Sequence, residues 1–119
     1  MVPFIVHADT EAAVDMVRPF YALYFGGMGA RKGQNFHANV AIRMGYEREI
    51  AEIQELYLDG KKDQAAARIP SELIQKMSLV GPADKIRHDL EAWEDSFVTT
   101  LMISGDPGQL RQAAEIVVE

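Results

Sequence analysis

The stretch PFIVHADT, residues 3–10, decides the fold, because a short apolar run passes directly into the start of a helix. The run FIV, residues 4–6, is continuous and strand-favouring, which is typical of a strand covered on both faces, as in parallel sheets. Asp9 and Thr10 then offer side-chain oxygens that can cap a first helical turn. The stretch therefore predicts a strand followed at once by a helix.

A second apolar run, FVTTLMI at residues 97–103, predicts the second strand. It is followed by a turn in which Asp106 can cap a last helix and Pro107 can begin it. A strand followed by a helix near each end of the chain predicts two parallel strands joined by a long crossover. The inner face of the last helix is predicted to consist of Leu110, Ala113, Ala114 and Val117.

The crossover between the two strands is predicted to be helical. Apolar residues recur at spacings of three and four over residues 11–25, with Pro19 inside, so we expect a helix kinked near residues 15–19. Further helices are predicted at residues 36–44, 47–59, 61–68, 71–77 and 82–95, with Gly45 as a left-handed end residue and Gly60 as the residue that stops the helix before it. In the last of these, Trp93 shares a stripe with Ile86 and Leu90 and is expected to be buried.

Composition limits the possible functions. The chain has 119 residues and a formal net charge of −6, which disfavours nucleic acid or an anionic membrane as its partner. It has no cysteine, so disulfides and thiolate metal sites are excluded. The start MVPFIVHADT does not resemble a signal peptide, and no apolar run approaches the roughly 20 residues of a membrane span. We expect one cytoplasmic domain, residues 1–119, with a helical insertion at residues 26–80.

Two parallel strands alone would leave edges and faces uncovered, so the architecture looks like part of a larger parallel sheet or barrel. Unpaired strand edges also invite association with another chain. We therefore expect a homo-oligomer that uses a strand edge, the aromatic first helix, or both. The aromatic residues of and near that helix fit a core or an interface, and less readily a pocket; they are Phe20, Tyr21, Tyr24, Phe25 and Phe36.

Three segments carry a resemblance to a known family. They are YALYFGGMGARKGQNFHANVAIRMGYE at residues 21–47, IQELYLDGKKDQAAARIPSELIQKMSLVGPADKIRHDL at residues 53–90, and VTTLMIS at residues 98–104. In order and content these segments resemble the luciferase-like monooxygenase family, in particular its branch that depends on the deazaflavin coenzyme F420. The resemblance covers nearly the whole chain.

This resemblance implies an α/β fold that is part of a (β/α)8 barrel, mainly helical with two short parallel strands. The chain would correspond to the C-terminal third of an oxidoreductase that uses F420 or FMN to act on a small-molecule substrate. The family's main catalytic side chains lie on earlier strands, so we assign no catalytic residue here. We expect the chain alone to be inactive and to bind no cofactor tightly, with the N-terminal barrel portion as a partner. The alternative is a non-catalytic, helical dimerisation module derived from the family.

Candidate binding residues follow from the barrel geometry that the resemblance implies. His7, Ser104 and Gly105 end the two predicted strands, where barrel enzymes build their sites, so they are the cofactor-binding candidates. Arg31 and Lys32, in a glycine-rich loop, could contact a substrate or a phosphate. Ordinary strand-end, turn and surface roles explain all five residues as well. No spacing of His, Asp or Glu indicates a metal site.

Overall fold

The computed structural model describes residues 1–28 and 34–118, and there it is mainly helical with a parallel sheet of two short strands. This confirms the expected fold class. The elements in chain order are β1 (Phe4–Val6), α1 (Thr10–Ala22), a π-helical turn (Leu23–Gly27), α2 (Phe36–Ala41), a second π-helical turn (Ile42–Tyr46), α3 (Glu47–Leu58), α4 (Lys62–Arg68), α5 (Ser71–Met77), β2 (Leu79–Gly81), α6 (Ala83–Glu94) and α7 (Pro107–Val117).

The sheet pairs β1 with β2 in parallel, in the register Phe4 to Leu79 and Val6 to Gly81. The hydrogen bonds continue one residue beyond each end of β1, since Leu79 donates to the carbonyl of Pro3 and His7 donates to that of Gly81, both at 2.9 Å. All three residues of β2 are buried. Leu79–Gly81 is therefore a buried strand paired with β1, and not a simple turn between α5 and α6.

The predicted position of the second strand, residues 97–103, was wrong. That segment has no strand structure, and its Phe97 and Met102 side chains are 97% and 60% exposed. It approaches β1 through a hydrogen bond from Val2 N–H to the carbonyl of Met102, 2.8 Å. Strand propensity is a local property, whereas a strand also needs a ladder of hydrogen bonds to a partner in register, and the strand that pairs with β1 in the described part of the chain is β2.

By backbone packing the chain divides into two compact units, one of which consists of Met1–Asp15 and the chain from Gln75 onward. Its core joins the sheet to α6 and α7, and its buried members are Val2, Phe4, Leu79, Ile86, Ala113 and Ile116. Leu90 and Trp93 pack against this core but are only partly buried, so the expectation of a buried Trp93 was wrong. The inner face of α7 is Ala113 with Ile116, while Leu110, Ala114 and Val117 are exposed.

The other unit, Met16–Ile74, is helical. Within it α3 packs on α4 and on the first π-helical turn, and Ile50 and Ile53 of α3 are almost fully buried. The predicted breaks are confirmed, because Gly45 and Gly60 have φ values of 100° and 81°, a region that favours glycine. α1 runs through Pro19, and departure from α-helical geometry comes later, at the π-helical turn Leu23–Gly27.

Candidate functional site

His7 lies one residue beyond β1, at the carboxyl end of the parallel sheet, and its side chain is exposed. Its Nδ1 accepts a hydrogen bond from Asp9 N–H at 2.9 Å. Because Nδ1 is an acceptor, the neutral ring carries its proton on Nε2. Ligands of parallel α/β folds bind outside the carboxyl ends of the strands. His7 therefore supplies an exposed N–H donor at the edge of the sheet where such a ligand would bind.

Asp9 has a structural role at the same edge. Its Oδ1 accepts the backbone N–H groups of Glu11 at 3.0 Å and Ala12 at 3.4 Å. These are first-turn groups of α1 that have no partner within the helix. The carboxylate is thus engaged as a helix cap, which also fixes the turn that carries His7.

Gly81 closes the carboxyl end of β2 with a φ of 120°, which other residues rarely adopt. A Cβ at this position would lie 2.9 Å from Thr10 Oγ1 and 3.0 Å from Lys85 Cδ. Glycine is therefore required both by its backbone angle and by the close approach of the first turns of α1 and α6. These contacts bring Thr10, Gly81 and Lys85 together beside His7. The backbone N–H of His7 donates a hydrogen bond to the carbonyl of Gly81.

Lys85 is the member of this group that the sequence reasoning missed. Its Nζ donates to the carbonyl of Val80 at 3.2 Å and forms a close ion pair with Asp89. Both side chains are 27% exposed, so the pair is partly shielded from water. The available signal was the Lys-Asp spacing of four on a predicted helix, which places the two side chains on one face.

Ser104 and Gly105 lie away from His7. Ser104 Oγ contacts Met1 Sδ at 3.6 Å, and Met1 and His7 lie at opposite ends of β1. At Gly105 a Cβ would lie 2.7 Å from Gln109 Oε1, so the Gln109 side chain covers that position. The structure does not bring the three cofactor-binding candidates into one group, and their role in binding stays a prediction.

The N-terminus of α7 is occupied by its own side chains. Asp106 Oδ1 accepts Gln109 N–H at 2.9 Å, and Gln109 Oε1 accepts Asp106 N–H at 2.8 Å, which together form a capping box. The Asp106 carboxylate therefore takes the place that an anion would occupy at this helix end.

Arg31 and Lys32 lie outside the described residues, so their predicted contact with a substrate or phosphate stays a prediction. Asn35, on the carboxyl side of this loop, is only 3% exposed. Its Nδ2 donates to the carbonyls of Tyr24 at 2.7 Å and Phe25 at 3.0 Å, and its Oδ1 caps α2 by accepting Ala38 N–H at 3.0 Å. Asn35 thus ties the start of α2 to the first π-helical turn.

The aromatic cluster divides between core and surface. Tyr21 and Phe25 are 4% and 1% exposed and their rings stack at a centroid distance of 5.5 Å, which makes them core residues. Phe36 is 81% exposed and Phe20 is 38% exposed. Tyr24 contacts the ring of His37 edge-on at 4.6 Å. The cluster therefore serves as core on one side and leaves apolar surface on the other.

Residues 1–28 and 34–118 contain no group of three or more His, Asp or Glu side chains that could hold a metal ion. His88 Nδ1 lies 3.6 Å from Glu91 Oε2 on the surface of α6. In the same described part of the chain, no helix is both long and apolar enough to cross a membrane.

Comparison with known proteins places these features in a family. The family of luciferase-like monooxygenases matches residues 1–100. The chain is also 40% identical, over 114 residues, to a Mycobacterium tuberculosis protein that carries the name of a coenzyme F420-dependent oxidoreductase. This match includes 95% of the chain but 33% of the relative, so the chain spans about a third of that relative's length. No solved structure matches the chain.

Proposed function

Because the chain belongs to the luciferase-like monooxygenase family, we propose that it is the C-terminal third of a coenzyme F420-dependent oxidoreductase. The observation that carries the proposal is the 40% identity to the F420-dependent relative along almost the whole chain. The chain covers only 33% of that relative, so the remaining two thirds would supply the other strands and most of the cofactor bed. FMN is the alternative cofactor within the same family.

The carboxyl end of the sheet fits one wall of such a cofactor site. His7 offers an exposed N–H donor there, and the capped first turn of α1 holds its backbone. Gly81 leaves room for the close approach of Thr10 and Lys85. The bound cofactor supplies the hydride chemistry, and the role of this chain is to orient the cofactor and to exclude water from one side. Ser104 and Gly105 would join this wall only if the chain after Phe97 lies differently in the assembled protein.

Co-expression of the chain with the remaining two thirds of the M. tuberculosis relative tests the assembly. We expect the two polypeptides to purify together as a one-to-one complex, because the outer edges of the two-stranded sheet would then pair with neighbouring strands. As a matched control, a helical protein of similar size and charge should not be retained. Purification of the chain without its partner, although both are soluble and folded, would contradict the proposal.

His7 provides a test of the site within that complex. Replacing His7 with Ala removes one hydrogen-bond donor, so F420 affinity should fall roughly twofold to tenfold. The exposure of the ring predicts unchanged folding by circular dichroism. The Asn variant, which retains an N–H donor, should recover part of the affinity. An unchanged affinity in His7→Ala would remove His7 from the site.

A second candidate function, self-association, is favoured by apolar surface within the unit Met16–Ile74. Two stripes at helical spacing are exposed there: Met16, Phe20 and Leu23 along α1 and its π-helical turn, and Phe36, Val40 and Met44 along α2 and its π-helical turn. Contiguous exposed apolar surface marks interaction sites on soluble proteins.

Sedimentation of the isolated chain at micromolar concentration tests this second candidate. We expect a dimer that the Phe36→Ser change dissociates, because Phe36 is the most exposed member of the second stripe, at 81%. Phe97→Ser is the matched control, since Phe97 is 97% exposed but lies outside both stripes. A monomer at all concentrations, or equal effects of the two variants, would contradict self-association through these stripes.

A further inference from the structure

A cleft of about 360 Å³ runs along α5 and α6, and the proposed function assigns it no ligand. Its volume falls in the range of small-molecule sites, roughly 300–1,000 Å³. Gln75 and Lys76 line it from the end of α5, and one face of α6, which includes Lys85, Asp89 and Trp93, lines it from the other side. All of these residues belong to the unit that contains the sheet.

The charged groups of the lining are already engaged. Lys85 forms the ion pair with Asp89, and His88 Nδ1 lies 3.6 Å from Glu91 Oε2. Lys76 also has an interaction partner of its own. A charged ligand would have to compete with these partners, or leave one of them unpaired in a place that is partly shielded from water. The lining therefore favours a neutral ligand.

The ion pair on α6 keeps some hydrogen-bonding capacity. An ammonium group has three N–H donors, and among the described residues Lys85 Nζ uses two of them, on the carbonyl of Val80 and on Asp89 Oδ2. Within the same part of the chain, Asp89 Oδ1 accepts no hydrogen bond. The pair therefore offers one N–H donor beside one carboxylate acceptor to a molecule in the cleft that both side chains line.

Trp93 adds a flat aromatic surface beside this pair. Its side chain packs, partly buried, against the core of its unit and also lines the cleft. Lys85, Asp89 and Trp93 follow one another at intervals of four residues, which places them along one face of α6. An indole that is held on one side and open on the other favours contact with a planar ring.

From this arrangement we propose that the cleft binds a small, neutral, planar heterocycle with a lactam group, in which a carbonyl and an N–H occupy adjacent ring atoms. The ring packs on Trp93. Its carbonyl accepts the remaining N–H of Lys85, and its N–H donates to Asp89 Oδ1, so the ion pair stays intact. The proposal does not depend on the proposed function, because the residues that carry it lie on α6 and the ligand is neutral, unlike the phosphate-bearing cofactor FMN.

Titration of the purified chain with uracil tests the proposal, because uracil is a neutral planar ring with lactam groups. Two matched probes each lack one feature: 5,6-dihydrouracil keeps the lactam groups without the aromatic ring, and 1,3-dimethyluracil keeps the ring without an N–H. Line broadening of the ligand proton resonances gives the affinity of all three. We expect saturable binding of uracil, with the other two probes weaker by roughly threefold or more.

Tryptophan fluorescence locates the binding, because Trp93 is the chain's single tryptophan. We expect saturable quenching by uracil. Quenching that is linear in concentration and equal to that of free N-acetyltryptophanamide would overturn the proposal, as would equal affinity for all three probes. Benzoate is the charged comparison, and tighter binding of benzoate than of uracil would show that the cleft selects charge, contrary to the proposal.

The contact with the carboxylate is tested by Asp89→Asn. If the amide oxygen faces Lys85, the amide NH2 faces the ligand N–H, so uracil binding should weaken roughly threefold to tenfold. Binding of 1,3-dimethyluracil, which has no N–H to lose, should change less than about twofold. Asp84→Asn is the matched control, since it makes the same charge change on α6 outside the cleft. Equal effects of the two substitutions on uracil binding would contradict the contact.

The ring contact is tested by two substitutions of Trp93. Trp93→Phe should retain uracil binding, and Trp93→Leu should lose roughly threefold to tenfold. Thermal unfolding confirms that each variant is folded, and equal binding by the Phe and Leu variants would contradict the ring contact. If a variant fails to fold, the comparison of the three probes on the unchanged chain still decides the proposal.

Discussion

Replacing Phe25 with Ala is expected to lower the free energy of unfolding by about 3–5 kcal/mol, because the change deletes one of the largest fully buried side chains. Phe25 is 1% exposed and stacks on Tyr21 at a centroid distance of 5.5 Å, so its removal leaves a cavity that the π-helical turn cannot readily close. Domains of this size are stable by only about 5–15 kcal/mol. Loss of one ring therefore removes a large fraction of the total stability.

Phe97→Ala is the matched control, because it deletes the same ring from a side chain that is 97% exposed and lies outside both apolar stripes. Its effect on the isolated monomer should stay within about 0.5 kcal/mol. Urea unfolding followed by far-ultraviolet circular dichroism measures both, since Trp93 lies outside the unit Met16–Ile74 and would not report on it directly. A loss below about 1 kcal/mol for Phe25→Ala, or equal losses for the two variants, would contradict the packing described.

Gly26→Ala is expected to destabilise the chain by about 1–3 kcal/mol, against the usual effect of such a change. In an ordinary helix interior, glycine to alanine gains up to about 1 kcal/mol. Here an added Cβ would lie 2.5 Å from Tyr57 Cβ and 2.8 Å from Tyr57 Cγ. Both atoms are close to the backbone of α3 and cannot move aside by rotation of the ring, so the steric cost exceeds the gain in helix propensity.

The close approach of Gly26 to Tyr57 can be tested by a double-mutant cycle. In a Tyr57→Ala background the clash is absent, so Gly26→Ala should become neutral or stabilising. Gly27→Ala is the graded control, because its Cβ would meet Tyr57 Cε1 at 2.6 Å and a terminal carbon of Leu23 at 3.2 Å, which lie at the far ends of side chains that can shift. Additive effects of the Gly26 and Tyr57 changes on chemical unfolding would show that the two residues do not contact each other.

The helices could be predicted from sequence because their signals are local. Asp106 and Pro107 begin α7 as expected, and the breaks at Gly45 and Gly60 fall where the left-handed backbone requires glycine. The identity of β2 could not be predicted in this way. Leu79–Gly81 is too short to show a period, and its strand structure depends on pairing with Phe4–Val6, some seventy residues earlier in the chain. The first π-helical turn also involves a tertiary contact, the close approach of Gly26 to Tyr57.

The candidate site was only partly accessible from sequence for the same reason. His7 could be found because it follows an apolar run, and position after a strand is a local signal. The grouping of His7 with Gly81 and Lys85 depends on the pairing of β1 with β2, which no short window of sequence contains. Ser104 was selected as the end of a strand that the structure does not form, so the reason for placing it beside His7 no longer holds.

Titration of coenzyme F420 into the complex of this chain with the remaining two thirds of its M. tuberculosis relative tests the central claim most directly. The isolated chain is titrated in parallel, and the coenzyme's own fluorescence reports binding in both cases. We expect saturable one-to-one binding by the complex and no saturable binding by the chain alone, because one wall of a site cannot orient the coenzyme. A folded one-to-one complex that does not bind F420, or equally tight binding by the isolated chain, would contradict the account.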